Sequence, residues 1–158
     1  MTLVVGRAQA TLFDRGNGLV YDDFDNLSWT QNAAISGLND WASQKVFADS
    51  LVLAGFDDFI LATLSDLEGL YLQLPGPAGS DKTGAQGPFT DIQSTYWSRT
   101  EVDASRASVF SFLGGDQAPA TRTSSGTAGW FALEIRRGSV EGHQCQRRHY
   151  CWERASWD

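Results

Sequence analysis

The stretch WFALEI, residues 130–135, carries a strong β-forming signal. Its apolar residues Phe131, Leu133 and Ile135 recur at every second position, so one strand would place them on a common face. Glu134 would then point to the opposite face. The pattern predicts a single strand with an apolar side, and the rest of the chain is organised around it.

Two more β-rich runs precede this stretch, YWSRT at residues 96–100 and SVFSF at residues 108–112. The turn residues 114–116 (GGD) and the Thr/Ser/Gly-rich residues 121–129 separate the three runs. The second half of the chain is therefore predicted to be an antiparallel, loop-rich β region.

The first predicted helix begins after Asn39 or Asp40, either of which can cap its first turn. Gly55 is expected to end it at the C′ position, where glycine accepts a left-handed backbone. Apolar residues recur at spacings near three and four, which is typical of an amphipathic helix. These residues are Trp41, Phe47, Ala48, Leu51 and Ala54.

A second helix is predicted to begin at Thr63 or Ser65, and Ser65 with Glu68 has the spacing of a capping box. The segment PGP at residues 75–77 stops it, because proline cannot continue a helix. Small polar residues without periodicity follow, and residues 76–87 are therefore predicted to form a long surface loop.

The N-terminal region is predicted to form a hairpin. The turn GNG at residues 16–18 leads into the short apolar run 19–21, and the acidic turn 22–26 leads into residues 27–29. With two helices between this hairpin and the later strands, the sequence predicts an α+β fold.

Composition limits the class of protein. The chain has 158 residues, 42% of them hydrophobic and 20% charged, which suits one domain with a true core and excludes a disordered tail. Its net charge of -7 argues against nucleic acid as a partner, because a phosphate backbone requires a basic surface. No apolar run approaches the length that spans a bilayer, so we expect no membrane span.

The two ends differ from the middle. Residues 1–10 finish in Ala8-Gln-Ala10, a pattern found at export cleavage sites, but the preceding apolar stretch is too short for a complete signal peptide. These residues are either the remnant of an export signal or a frayed terminus. Residues 136–158 hold five bases and three acids, and we expect the domain proper to occupy residues 11–140, with 141–158 as a basic tail containing Cys and His.

Seven short motifs occur in an order that resembles bacterial secreted lectin-like domains of unknown function, which are common in PEP-CTERM exported proteins. Each motif is weak alone, and together they cover most of residues 11–140. In order along the chain they are GLVYDD at 18–23, LSW at 27–29, DWA at 40–42 with GFDDF at 55–59, LATL at 61–64 with LE at 67–68, GPFTDIQS at 87–94, YWSRTE at 96–101 and ALEIRRG at 132–138.

The resemblance implies a C-type-lectin-like fold of the kind shared with formylglycine-generating enzymes. In that fold a small twisted antiparallel sheet and two helices support long loops, and the C-terminal half recognises the ligand. The chain departs from the family at residues 59–63, where FILAT replaces the usual Trp-Arg-Leu-Pro-Thr, and at Arg137, where the family has proline.

The loops of the C-terminal half supply the candidate ligand-binding residues. Arg99 and Glu101 would lie on one side of their strand, opposite Thr100, and could act together. Small polar residues and arginines on a rigid aromatic base are typical of binding surfaces. Trp29, Trp41, Trp97 and Trp130 are predicted to form that base in the core. The candidate binding residues are Arg99, Glu101, Asp103, Arg106, Asp116 and Arg122.

Metal and cysteine chemistry receive weaker support. The acidic residues 22–26 and the pair Asp57 and Asp58 could offer oxygen ligands to Ca²⁺, but turn-forming and capping roles explain them, so no cofactor is expected. Cys145 and Cys151 are interpreted as a local disulfide, with free thiols or a metal or redox site as the alternatives.

These observations favour a non-enzymatic binding module, secreted or held at the cell surface, that recognises a glycan or an extracellular protein. Both histidines, His143 and His149, lie in the tail, and no phosphate-binding or dinucleotide-binding motif is present, so the sequence does not indicate catalysis. Two alternatives remain: a copper oxidase related to formylglycine-generating enzymes, which would use Cys145 and Cys151, and a structural domain of a larger surface assembly.

Overall fold

The computed structural model describes residues 11–124 and 129–138. As the sequence predicts, the fold is α+β, with two helices and mostly antiparallel strands. The elements are β1 (Leu12–Gly16), β2 (Leu19–Asp22), β3 (Leu27–Thr30), α1 (Trp41–Ser50), β4 (Ile60–Leu61), α2 (Leu64–Gln73), β5 (Gly84–Gln86), β6 (Phe89–Ile92), β7 (Thr95–Glu101), β8 (Arg106–Ser111), β9 (Gln117–Thr121), β10 (Phe131–Ala132) and β11 (Glu134–Arg137).

A five-stranded antiparallel sheet in the order β1-β2-β3-β11-β4 joins the first residues of the domain to its last strand. The hairpin between β1 and β2 turns at Asn17 and Gly18, whose φ angles of 55° and 84° are left-handed. An Asn-Gly pair suits this turn because both residues accept that conformation more readily than others. The hairpin of β2 and β3 was predicted and is confirmed.

A four-stranded sheet in the order β10-β7-β8-β9 forms the second layer, and β5 and β6 make a separate small hairpin. Among the strands of residues 11–124 and 129–138, β10 alone runs parallel to its neighbour, β7. The strand β9 was not predicted, because Pro119 and two alanines lack strand propensity. Proline is tolerated there because β9 is the edge of its sheet.

The stretch WFALEI is divided between the two sheets, which corrects the single strand predicted from its period. Phe131 pairs with β7 in one sheet, whereas Ile135 pairs with β3 and β4 in the other, and Leu133 joins the two segments. Glu134 lies on the face opposite Ile135, as predicted, and is completely buried there.

Both helices are confirmed, but the predicted end of α1, the predicted capping box of α2 and the predicted continuous loop after α2 are wrong. The α1 helix ends at Ser50, because Leu51 is extended and the Leu53–Phe56 bridge then turns the chain through Ala54 and Gly55. The capping box of α2 joins Thr63 to Asp66, not Ser65 to Glu68. Residues 76–87 are also not a continuous loop, since they contain β5.

Lys82 explains how that segment is held. Its side chain is 1% exposed, and Nζ donates to the carbonyl oxygens of Tyr71 (2.7 Å) and Leu74 (3.0 Å) at the C-terminal end of α2. A cation suits this position because the last carbonyls of a helix lack intrahelical donors. Burial lowers the pKa of Lys82.

The core lies on both faces of the five-stranded sheet. On one face, Trp29 and Ile135 pack with α2 and with the aromatic residues of the second sheet, including Tyr96 and Phe110. On the other face, Leu19 packs with Phe56 and Phe59, and Leu61 packs with Trp41 and Trp97. Of the four tryptophans predicted to be in the core, three are buried and Trp130 is half-buried.

Candidate functional site

Arg122, immediately after β9, links two loops of the C-terminal half. Its Nη2 donates to Oε2 of Glu101 (2.9 Å) and to the backbone oxygen of Asp103 (2.5 Å). The Arg122 side chain is 19% exposed and that of Glu101 is 58% exposed, so the ion pair joins a largely buried cation to a solvent-facing carboxylate. One arginine thus holds the β7–β8 turn against the end of β9.

The β7–β8 turn is closed by Asp103. Its Oδ1 accepts the backbone N–H groups of Ser105 (2.9 Å) and Arg106 (2.8 Å), and its Oδ2 pairs with the Arg106 guanidinium at 2.7 Å. The Arg106 side chain, followed by the backbone N–H of Ser105, holds the pKa of Asp103 well below its usual range. Both side chains remain in contact with solvent. We call Glu101, Asp103, Arg106 and Arg122 the charged rim.

Trp41, the first residue of α1, contacts the charged rim through Arg122. The Arg122 guanidinium carbon lies 4.3 Å from the centre of the Trp41 ring, and Nζ of Lys45 lies 4.5 Å from it. The backbone N–H of Trp41 donates to the Arg122 carbonyl at 3.1 Å, and its indole N–H donates to the Ser98 carbonyl at 2.8 Å. Cation–π contact and two hydrogen bonds therefore fix α1 to the end of β9 and to β7.

A second aromatic pair continues this support. The rings of Trp97 and Trp130 meet edge to face, with centroids 4.8 Å apart. The Trp97 indole N–H donates to the Asn39 carbonyl (3.0 Å), and the Gln44 amide donates to the Trp130 carbonyl (2.9 Å). Each of these bonds connects α1 or the residue before its cap to the second sheet. The charged rim thus stands on a rigid aromatic base.

Two predicted binding residues, Arg99 and Asp116, are not part of the contacts that define the charged rim. Arg99 is exposed, but a register shift in β7 between Trp97 and Glu101 interrupts the alternation on which its pairing with Glu101 was predicted. Its backbone N–H donates to Ala62, at the entry to α2. Asp116 is exposed in the β8–β9 turn, at the opposite end of that hairpin from Arg122.

Lys45 is the member of this region that the sequence analysis missed. It follows Trp41 by four residues, and in a helix residues at this spacing lie side by side on one face. The signal was therefore available in the sequence once Asp40 was accepted as the cap. Arg122 carried no comparable signal, because its contacts with Trp41 and Glu101 join residues distant in the chain.

The acidic residues considered for Ca²⁺ have structural partners. Oδ1 of Asp22 accepts the backbone N–H groups of Phe24 and Asp25, and its Oδ2 accepts the Gln73 amide at 2.8 Å. Asp58 pairs with Arg136 at 2.8 Å. Within residues 11–124 and 129–138, no group of three or more His, Cys, Asp or Glu side chains is arranged to hold a metal ion.

No family model matches the chain, and no curated protein or solved structure gives a significant match. In the part of the chain that the structure describes, no helix has the length and apolar character needed to cross a membrane. Cys145 and Cys151, predicted to form a disulfide, lie outside the described residues, as do both histidines.

Proposed function

We propose that the chain is a non-enzymatic binding module with a C-type-lectin-like fold, exported in its native setting, that recognises a glycan or an extracellular protein. The two helices and the two sheets agree with such a fold at the level of the α+β class. The ordered motifs of the sequence support the finer assignment. The ligand would meet the loops of the C-terminal half.

The observation that carries the proposal is the way Arg122 holds the charged rim. One guanidinium stacks on Trp41, pairs with Glu101 and donates to the carbonyl of Asp103, so two loops are fixed before any ligand arrives. Preorganised polar groups bind more tightly because less conformational freedom is lost on association. Rigid elements that carry exposed polar loops are also a common construction for recognition.

A binding survey tests the proposal. The wild-type protein would be applied to glycan and extracellular-matrix protein arrays beside the double variant Arg99→Ala/Glu101→Ala and the single variant Arg106→Ala. Glu68→Ala, an exposed charge on α2, is the matched control. We expect specific wild-type binding that weakens about tenfold or more in the double variant and in Arg106→Ala and persists in the control. An array with no wild-type binding would overturn the proposal.

The copper oxidase alternative requires both cysteines, whereas the binding module does not. Replacing Cys145 and Cys151 by serine separates the two functions. A binding module keeps its array profile in that variant. Loss of a copper-dependent thiol oxidation that the wild type performs would favour the oxidase instead.

A further inference from the structure

Glu134 is a fully buried acid, and in the part of the chain that the structure describes only one of its two carboxyl oxygens has a hydrogen-bond partner. It lies on β11, the strand between β3 and β4 in the five-stranded sheet. Thr30, on β3, donates its hydroxyl to Oε2 of Glu134 at 3.2 Å. The second oxygen, Oε1, is buried and has no hydrogen-bond partner among the residues that the structure describes.

Apolar residues flank this pair on the same face of the sheet. Leu61 stands opposite Glu134 on β4 and packs with Trp41 of α1. Leu19 stands opposite Thr30 on β2 and packs with Phe56, in the segment that follows α1. The carboxyl group therefore lies between two hydrophobic clusters, in the layer where α1 and residues 51–59 cover the sheet.

The charged groups nearby are engaged elsewhere. Arg136 lies two residues further along β11, and its guanidinium makes two contacts to the carboxylate of Asp58, at 2.8 and 3.3 Å. Lys45 lies over the ring of Trp41, with Nζ 4.5 Å from its centre. The titratable or charged groups on α1, on residues 51–59 and on this face of the sheet are Arg15, Tyr21, Lys45, Asp49, Asp57, Asp58 and Arg136, and Tyr96 of β7 lies close enough for Glu134 to act on it electrostatically.

An ionised carboxylate in this position would lose its hydration and gain only neutral hydrogen bonds in return, from its own backbone N–H and from the Thr30 hydroxyl. Such a charge is costly in an apolar layer, and the group either keeps its proton or moves toward water. We propose that Glu134 is a proton-operated latch: with its proton bound, α1 and residues 51–59 pack on the sheet, and release of that proton to solvent loosens this layer.

The pKa of Glu134 supports this assignment. Burial raises it to about 7, against an ordinary value of 4.5, and the hydrogen bonds from its own backbone N–H and from Thr30 offset only part of the increase. The latch would therefore respond in the neutral pH range. Because Trp41 begins α1 and carries Arg122, loosening of this layer would reach the charged rim. The inference concerns the scaffold and does not depend on the proposed binding function.

Hydrogen exchange at single amides tests the latch, because α1 and α2 cover opposite faces of the same sheet. Protection factors, which correct for the intrinsic pH dependence of exchange, would be measured for both helices at pH 5.5 and pH 8.5. We expect wild-type protection in α1 to fall by about tenfold or more between these values, while α2 changes little. In Glu134→Gln, whose side chain cannot ionise, the protection factors of α1 should be the same at both pH values.

Two further variants keep the test decisive. Glu134→Met provides a second non-ionising side chain of similar length in case the glutamine variant does not fold. Glu68→Gln removes an exposed acid from α2 and should retain the wild-type response. The latch is overturned when wild-type α1 protection does not change with pH, or when it falls equally in a folded non-ionising variant.

Discussion

The two faces of the five-stranded sheet are built on different principles. The face toward α2 presents Val20, Trp29 and Ile135 to a continuous apolar cluster. The face toward α1 carries a polar row across β3 and β11, comprising Ser28, Thr30, Glu134 and Arg136, all of them at most 3% exposed. One side of the sheet is therefore mainly hydrophobic, although it includes the buried Asp22 bonded to Gln73 of α2, and the other side carries a row of buried polar groups that must find partners.

The two faces differ in how their contributions to stability depend on pH. Apolar burial stabilises the α2 face over the whole pH range, because it involves no ionisation. The α1 face depends on the state of its polar row. Arg136 is neutralised by Asp58 and its ring neighbour is Phe56, whereas Glu134 has only neutral donors, its own backbone N–H and the hydroxyl of Thr30. The α1 face is the side of the molecule that solution conditions can change.

The strongest test of the comparison removes the centre of the apolar face. Trp29→Ala deletes a fully buried indole, and we expect the free energy of unfolding to fall by about 3–5 kcal/mol at any pH. Urea unfolding at pH 5.5 and 8.5 measures both the loss and its independence of pH. Val52→Ala, at a side chain that is 69% exposed, is the control and should stay within about 0.5 kcal/mol of wild type. A loss for Trp29→Ala below about 1 kcal/mol would mean that the α2 face does not dominate stability.

The second test titrates the polar face. A carboxyl group whose pKa is raised from 4.5 to about 7 binds its proton more tightly in the folded state, so stability is greatest below pH 4.5 and declines until about pH 7. The corresponding loss is about 3 kcal/mol. Glu134→Gln should remove this component from the pH profile of urea unfolding. A profile that is identical in the two proteins would contradict the buried position of the acid.

The third test, with a smaller expected effect, concerns the hydrogen bond from Thr30 to Glu134. Thr30→Val keeps the shape of the side chain and deletes the hydroxyl that donates to Glu134. We expect a loss of about 1 kcal/mol, larger at pH 8.5 than at pH 5.5 because the bond favours the ionised form. The pH midpoint of the stability profile should also move upward. An unchanged midpoint would show that Thr30 does not act on the carboxyl group.

Much of the architecture was predictable because it depends on local signals. Asp40, Thr63 and the Asn-Gly turn act through neighbouring backbone groups, so the starts of both helices and the first hairpins follow from a few residues. The ends of elements were less predictable. α1 stops at Ser50 although apolar spacing continues to Ala54, because the chain must turn back to place Phe56 on the sheet.

The candidate site was predictable in its residue types and only partly in its arrangement. Glu101, Asp103, Arg106 and Arg122 do come together, yet nothing in the sequence couples Arg122 to Trp41. The predicted partnership of Arg99 with Glu101 relied on regular alternation, which the register shift in β7 interrupts. Asp116 was grouped with them by its position in the chain and lies at the other end of the hairpin.

The sequence alone determined the α+β class, the positions of two capped helices and the supply of arginines and acids in the later loops, since these depend on propensity and short-range hydrogen bonding. The tertiary structure decided where WFALEI divides between two sheets, and with it the burial of Glu134. Strand pairing is a contact between distant residues, so a two-residue period cannot show which sheet receives each half of a strand. The same nonlocal pairing placed Arg122 on Trp41 and gave the five-stranded sheet one mainly apolar face and one face that carries a buried acid.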